Sequence, residues 1–169
     1  TLFKSICCTP WALMYALLGM SAAALLPLSF AAILLVSIGV YFATKSFALF
    51  VGLVSFFMLI VPMLLQWTLG GFAPSGAVVL WSILAPLGVL VFRGFREAKF
   101  WFGAFAVIVI VSSVAEPYLP GVEEKPDWVI GLFFAMNIGA VATIVFGTVQ
   151  YFIEQLTREQ SVVREQNTA

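Results

Sequence analysis

The stretch AEPYLPGVEEKPDW gathers Glu116, Glu123, Glu124 and Asp127 in one short segment. Carboxylates and carbonyls so placed suit a hard cation such as Ca²⁺ or Mg²⁺, but the spacing matches no EF-hand, and a solvated acidic loop accounts for the same residues. A second set is uncharged. Gln66, Trp67, Ser75, Trp81 and Ser82 combine aromatic rings with a few converging polar groups, the composition of an outward-facing pocket for an apolar or weakly polar ligand. Taken singly, Gln66, Ser82, Ser112, Ser113, Asn137 and Thr143 also suit plain helix-to-helix hydrogen bonds or back-bonds to the preceding turn.

The missing residue types narrow the chemistry further. The chain has no histidine, so a histidine-ligated haem, the usual copper and zinc sites and a Ser-His protease each lack a key residue. Cys7 and Cys8 are adjacent, which suits neither a disulfide framework nor a metal site; they read as small apolar residues at a helix end or as acylation sites. Lys4, Lys45, Lys99 and Lys125 stand at the ends of apolar runs, where a retinal-type Schiff base has no place. No ionisable group falls near the middle of a run, as proton- or ion-coupled transport usually requires. With zero net charge and no basic patch interleaved with aromatics, nucleic acid is not an expected partner.

Composition sets the elements that must carry these residues. At 63% hydrophobic and 9% charged, the chain belongs with membrane lipid rather than with soluble domains. A bilayer core takes about twenty apolar residues per helix, and the charge-free runs predict an all-α polytopic domain over residues 1–153. Its six spans fall at about 5–24, 27–44, 46–69, 76–92, 99–116 and 128–153. A short turn over residues 21–27 joins the first two, with Pro27 in the first turn of the second helix, where its missing N–H costs nothing. GGFAPSG at 70–76 reads as an outer turn. Apolar spans continue through most of the chain, so a cleaved signal peptide does not explain its start. The opening Thr and the helical pattern at the end suggest a piece of a longer protein.

Lys4, Lys45, Arg93, Arg96, Lys99, Arg158 and Arg164 fall on one side of this layout and only Lys125 on the other, which places both termini in the cytoplasm. Aromatics gather at the expected interfaces, Trp11, Tyr41, Trp101 and Tyr151 inside and Trp67, Phe72, Tyr118 and Trp128 outside.

The sixth span carries two patterns. Ala135, Gly139, Thr143 and Gly147 recur every four residues, a small-residue ridge on which a helix can pack closely. A helix of the same chain is slightly favoured over a second copy. Between Thr148 and Ala169 there is no Gly or Pro, so the helix is expected to leave the bilayer through residues 154–169. Ile153, Gln160 and Asn167 fit a positions and Leu156 and Val163 fit d positions of a heptad. This predicts the start of a coiled-coil seam in a homodimer, in which a buried Asn or Gln fixes register; a solvated amphipathic helix end fits the same residues. So short a seam is marginal by itself.

The phrases PMLLQWTLGGFAPSGAVVLWSILAPLGVLVFRG and AKFWFGAFAVIVIVSS, a proline-containing outer loop, and a last helix running into FIEQLTREQSVVREQNTA together resemble the six-helix N-terminal membrane domain of bacterial class III adenylyl cyclases. The likeness covers residues 46–169; the first two spans fit by hydropathy only. It implies a bacterial inner-membrane location and a sixth helix leading into a dimeric cytoplasmic cyclase domain. That domain would make cyclic AMP from ATP with Mg²⁺ or Mn²⁺. This chain would then anchor, dimerise and regulate the enzyme as a receptor for an outer-face ligand, with no cofactor and no catalytic residue of its own. A parallel coiled coil equally suits a histidine kinase or diguanylate cyclase, and a small transporter or channel component is the reading from a different class.

Overall fold

The computed structural model describes residues 11–119 and 125–168, without the side chains of residues 22, 156, 159 and 161–168. Among the described residues all regular structure is helical, and four helices are long and apolar enough to cross a membrane: Ala23–Thr44, Phe47–Thr68, Phe95–Tyr118 and Asp127–Gln155.

Local chemistry sets most of the breaks. A first helical segment, α1 at residues 11–17, ends before Gly19, whose φ of 75° suits a residue without a Cβ. Then α2 (Ser21–Thr44) starts at once. The turn therefore lies over residues 18–20, ahead of the expected 21–27. Pro27 falls inside α2 rather than in its first turn, because the run of small residues from Ser21 to Ala24 already continues the helix. Lys45, at φ 54°, ends α2, and Ser46 opens α3 (Phe47–Thr68) by accepting a hydrogen bond at Oγ from the Leu49 N–H at 3.3 Å.

The expected fourth span is not one α-helix. After α3 come a four-residue helix, α4 (Phe72–Ser75), a 3₁₀ helix (Val78–Ile83) and α5 (Leu84–Arg93). Gly76 at φ 64° and Ala77 at φ 55° form the left-handed break between the first two. Gly94, at φ 85°, separates α5 from α6 (Phe95–Ala115), which passes through a 3₁₀ turn at Glu116–Tyr118. The last helix, α7 (Asp127–Thr168), runs unbroken for 42 residues.

α3 lies at the centre, packed on α2, the 3₁₀ helix, α5 and α6. α7 packs on the 3₁₀ helix, α4 and α5. One core cluster joins Tyr15, Leu65, Leu69, Val78 and Phe133; a second joins Phe30, Leu34, Met58, Leu59 and Leu84. α6 and α7 leave most of their apolar surface uncovered, as helices facing lipid do.

Candidate functional site

Segment 70–83 is more than a surface turn. It folds back into the bundle, where Gly71, Ser75, Gly76, Val78, Val79 and Ser82 are all buried. Irregular backbone at such depth persists only when protein groups satisfy it, and here three side chains from elsewhere do so, with a fourth bonded just ahead of the segment at Leu69. Asn137 Nδ2, on α7, donates to the carbonyls of Ser75 at 3.1 Å and Gly76 at 3.2 Å. Gln66 Oε1, on α3, accepts from the Val79 N–H at 3.2 Å. Glu116 Oε1 accepts from the Phe72 N–H at 2.9 Å. Lys125 Nζ donates to the Leu69 carbonyl at 3.2 Å, and partial burial pushes its ammonium below the ordinary lysine range.

Asn137 is the hub. Its Oδ1 accepts from both Trp11 Nε1 and Trp81 Nε1, each at 3.0 Å, so the amide uses both donors and both lone pairs. The two indoles meet edge to face, with centroids 5.3 Å apart at 81°. Asn137 lies ten residues into α7, about 15 Å along it by the helix rise. Trp11 therefore closes a buried knot and is not the interface aromatic its type suggested.

Gly76 is required by this arrangement. A Cβ there would stand 2.5 Å from the Phe133 backbone carbon, so α7 lies directly on the break in the folded-back segment.

The five residues expected to rim an outward-facing pocket divide differently. Gln66, Ser75 and Ser82 are buried inside the bundle; Ser82 Oγ donates to the Leu59 carbonyl at 2.9 Å, and Ser75 Oγ donates to the Phe72 carbonyl at 3.2 Å. Trp67 turns to α6 and donates from Nε1 to Ser112 Oγ at 3.2 Å. Trp81 alone of the five lines a cavity. Gln66 Nε2 and the Tyr15 hydroxyl are buried without a hydrogen-bond partner among the described residues.

That cavity holds about 290 Å³ and lies beyond the indole pair, between α2, α3, α5 and α7. Pro27, Met58, Pro62, Gly88 and Ile144 contribute to its walls. Its lining is apolar except at three side chains, each already bonded: Trp11 and Trp81 to Asn137, and Thr148 Oγ1 to the Ile144 carbonyl at 2.8 Å. Sequence reasoning missed it. Prolines inside two helices, at Pro27 and Pro62, were the available signal.

Of the acidic residues, Glu116 is a backbone acceptor within the bundle and Asp127 is exposed in the first turn of α7; Glu123 and Glu124 lie outside the described residues. No group of three or more metal-ligating side chains occurs among the described residues. Ala135, Gly139, Thr143 and Gly147 are all exposed, and a Cβ added at Gly139 or Gly147 meets nothing within 4 Å. The expected packing of a helix of the same chain on this ridge is thus absent among the described residues. Thr143 Oγ1 bonds back to the Gly139 carbonyl at 2.7 Å. Ile153 and Gln160 are exposed in the single chain, while the side chains of Leu156, Val163 and Asn167 lie outside the described residues. Compared with protein-family models, curated proteins and solved structures, the chain matches none.

Proposed function

We propose that this chain is the membrane input domain of a class III adenylyl cyclase, a six-span homodimeric anchor and sensor in a bacterial inner membrane with both termini cytoplasmic. The observation that carries the reading is the continuity of α7. One helix runs from the buried Asn137 knot, through the apolar bundle, to a polar stretch that ends at Thr168. A rigid helix of this kind passes a displacement at one end to whatever is joined at the other. The resemblance of residues 46–169 to cyclase membrane domains supplies the output: cyclic AMP made from ATP with Mg²⁺ or Mn²⁺ by a domain beyond this chain.

The mechanism is a two-state shift. A ligand or lipid that binds one arrangement of the bundle more tightly changes the placement of α7, and a coiled coil through Ile153, Leu156, Gln160, Val163 and Asn167 carries the change to a catalytic dimer. The test is cyclic AMP production by membranes that contain the full-length gene product in a cyclase-deficient host. Product supports the reading. An intact, dimeric protein that makes none sinks it and favours a kinase or diguanylate cyclase output.

A further inference from the structure

The cavity beyond the indole pair has a definite shape. Trp81 and Phe92 both line it and are eleven residues apart along the 3₁₀ helix and α5, about 16 Å by the helix rise. On the facing side, Thr148 lies eleven residues beyond the Asn137 hub on α7. The space is thus elongated along α5 and α7 rather than round. One end is closed by the Trp11–Trp81 pair, which Asn137 holds in place. α2 and α7 both line the cavity without packing closely on each other among the described residues.

Its chemistry selects the occupant. The three polar side chains in the lining have their hydrogen bonds filled from within the protein, so water entering here finds few partners, and apolar cavities of about 150 Å³ are known to stay dry and to take up hydrocarbon. Nothing in the lining is charged, so a headgroup is not recognised.

We infer that this cavity is a binding site for the single hydrocarbon chain of a free amphiphile, inserted tail-first against Trp11 and Trp81. The inference deepens the sensor reading by naming the ligand class of the same bundle, and it rests on that reading only for its regulatory consequence. Occupancy wedges α7 against α2, α3 and α5 on the cavity side of the Asn137 pin.

The test uses the chain in nanodiscs of unbrominated lipid, with 10-bromodecanoic acid as probe and tryptophan fluorescence as readout. The terminal bromine is expected to quench saturably. Gly88 offers the matched control, because a Cβ there meets nothing within 4 Å and the residue lines the cavity. Gly88→Leu fills the space from the wall and is expected to weaken the saturable component at least tenfold, while contact quenching of the exposed Trp128 is unchanged. Gly88→Ala, which leaves most of the volume, should retain it.

Non-saturable quenching that is equal in wild type and Gly88→Leu overturns the site. Saturable quenching by a tail-brominated phospholipid but not by bromodecanoic acid overturns the assignment to a free chain. Cyclic AMP assays on the full-length protein separate the two proposals. Saturable binding without cyclase output leaves the site standing and removes the output, whereas output without saturable binding does the reverse.

Discussion

The knot around Asn137 and the cavity beyond it are neighbours along α7, yet they hold that helix by opposite means. In the knot, α7 is fixed by directional bonds: two carbonyls, two indoles and a glycine that admits its backbone at van der Waals range. At the cavity, α7 presents Ile144 and Thr148 to open space. A helix pinned at one level and loosely supported at the next can pivot. The difference teaches where movement is allowed, because in lipid there is little hydrophobic force between helices, and close packing and hydrogen bonds decide which contacts persist.

The sharpest way to break this contrast is to put a methyl group on each side of it. Gly76→Ala adds a Cβ at a left-handed φ and 2.5 Å from the Phe133 backbone, which cannot move aside as a side chain can. A loss of about 4 kcal/mol or more is expected from strain and overpacking together, measured by equilibrium unfolding in mixed micelles. Asn137→Leu comes next. It strands the Ser75 and Gly76 carbonyls and both indole N–H groups, and, with hydrogen bonds in membrane proteins worth less each than the full desolvation cost, the expected loss is about 2–3 kcal/mol. The same variant should red-shift tryptophan emission as Trp11 and Trp81 are released. Gly88→Ala, on the cavity side, should stabilise by about 0.5–1 kcal/mol through helix propensity alone, since its methyl group meets nothing. A Gly88→Ala loss as large as that of Gly76→Ala would show that the cavity is not open.

The two regions also differ in how far the sequence revealed them. The corner at Lys45–Ser46 and the unbroken α7 were legible, because a charge between apolar runs and the absence of Gly or Pro are local signals. Ser82, Ser112, Asn137 and Thr143 were expected to make either helix-to-helix bonds or back-bonds, and the structure assigns the first kind to Ser82, Ser112 and Asn137 and the second to Thr143, a division the sequence does not show. GGFAPSG was read only as an outer turn, and the burial of Ser75 and Gly76 against α7 was not legible because a surface turn and a buried irregular segment need the same residues. What separates them is the supply of partners, and Asn137 lies 62 positions from the carbonyl of Ser75. Trp11 failed for the same reason, since an indole at an interface and an indole bonded to a buried amide are the same letter. The cavity has only a faint sequence signal, since it is the volume left unfilled beside Gly88 and the helix prolines Pro27 and Pro62.

The smallest expected effect tests the rim of the knot through pH. Lys125 holds the end of α3 through the Leu69 carbonyl, and burial lowers its pKa below that of an unfolded lysine, about 10.4. The folded state therefore disfavours the charged ammonium relative to the unfolded state. Below the folded pKa this cost is fully present, and it is relieved as pH rises from the folded value toward the unfolded one. Stability is expected to rise slightly over the interval just below the ordinary lysine range, against the general alkaline decline. Lys125→Met lacks the titrating group, so the difference between wild type and variant should narrow or change sign across that interval. A difference that stays constant with pH would mean that the ammonium is as well solvated in the fold as outside it, and that the carbonyl of Leu69 and not the surrounding protein sets its environment.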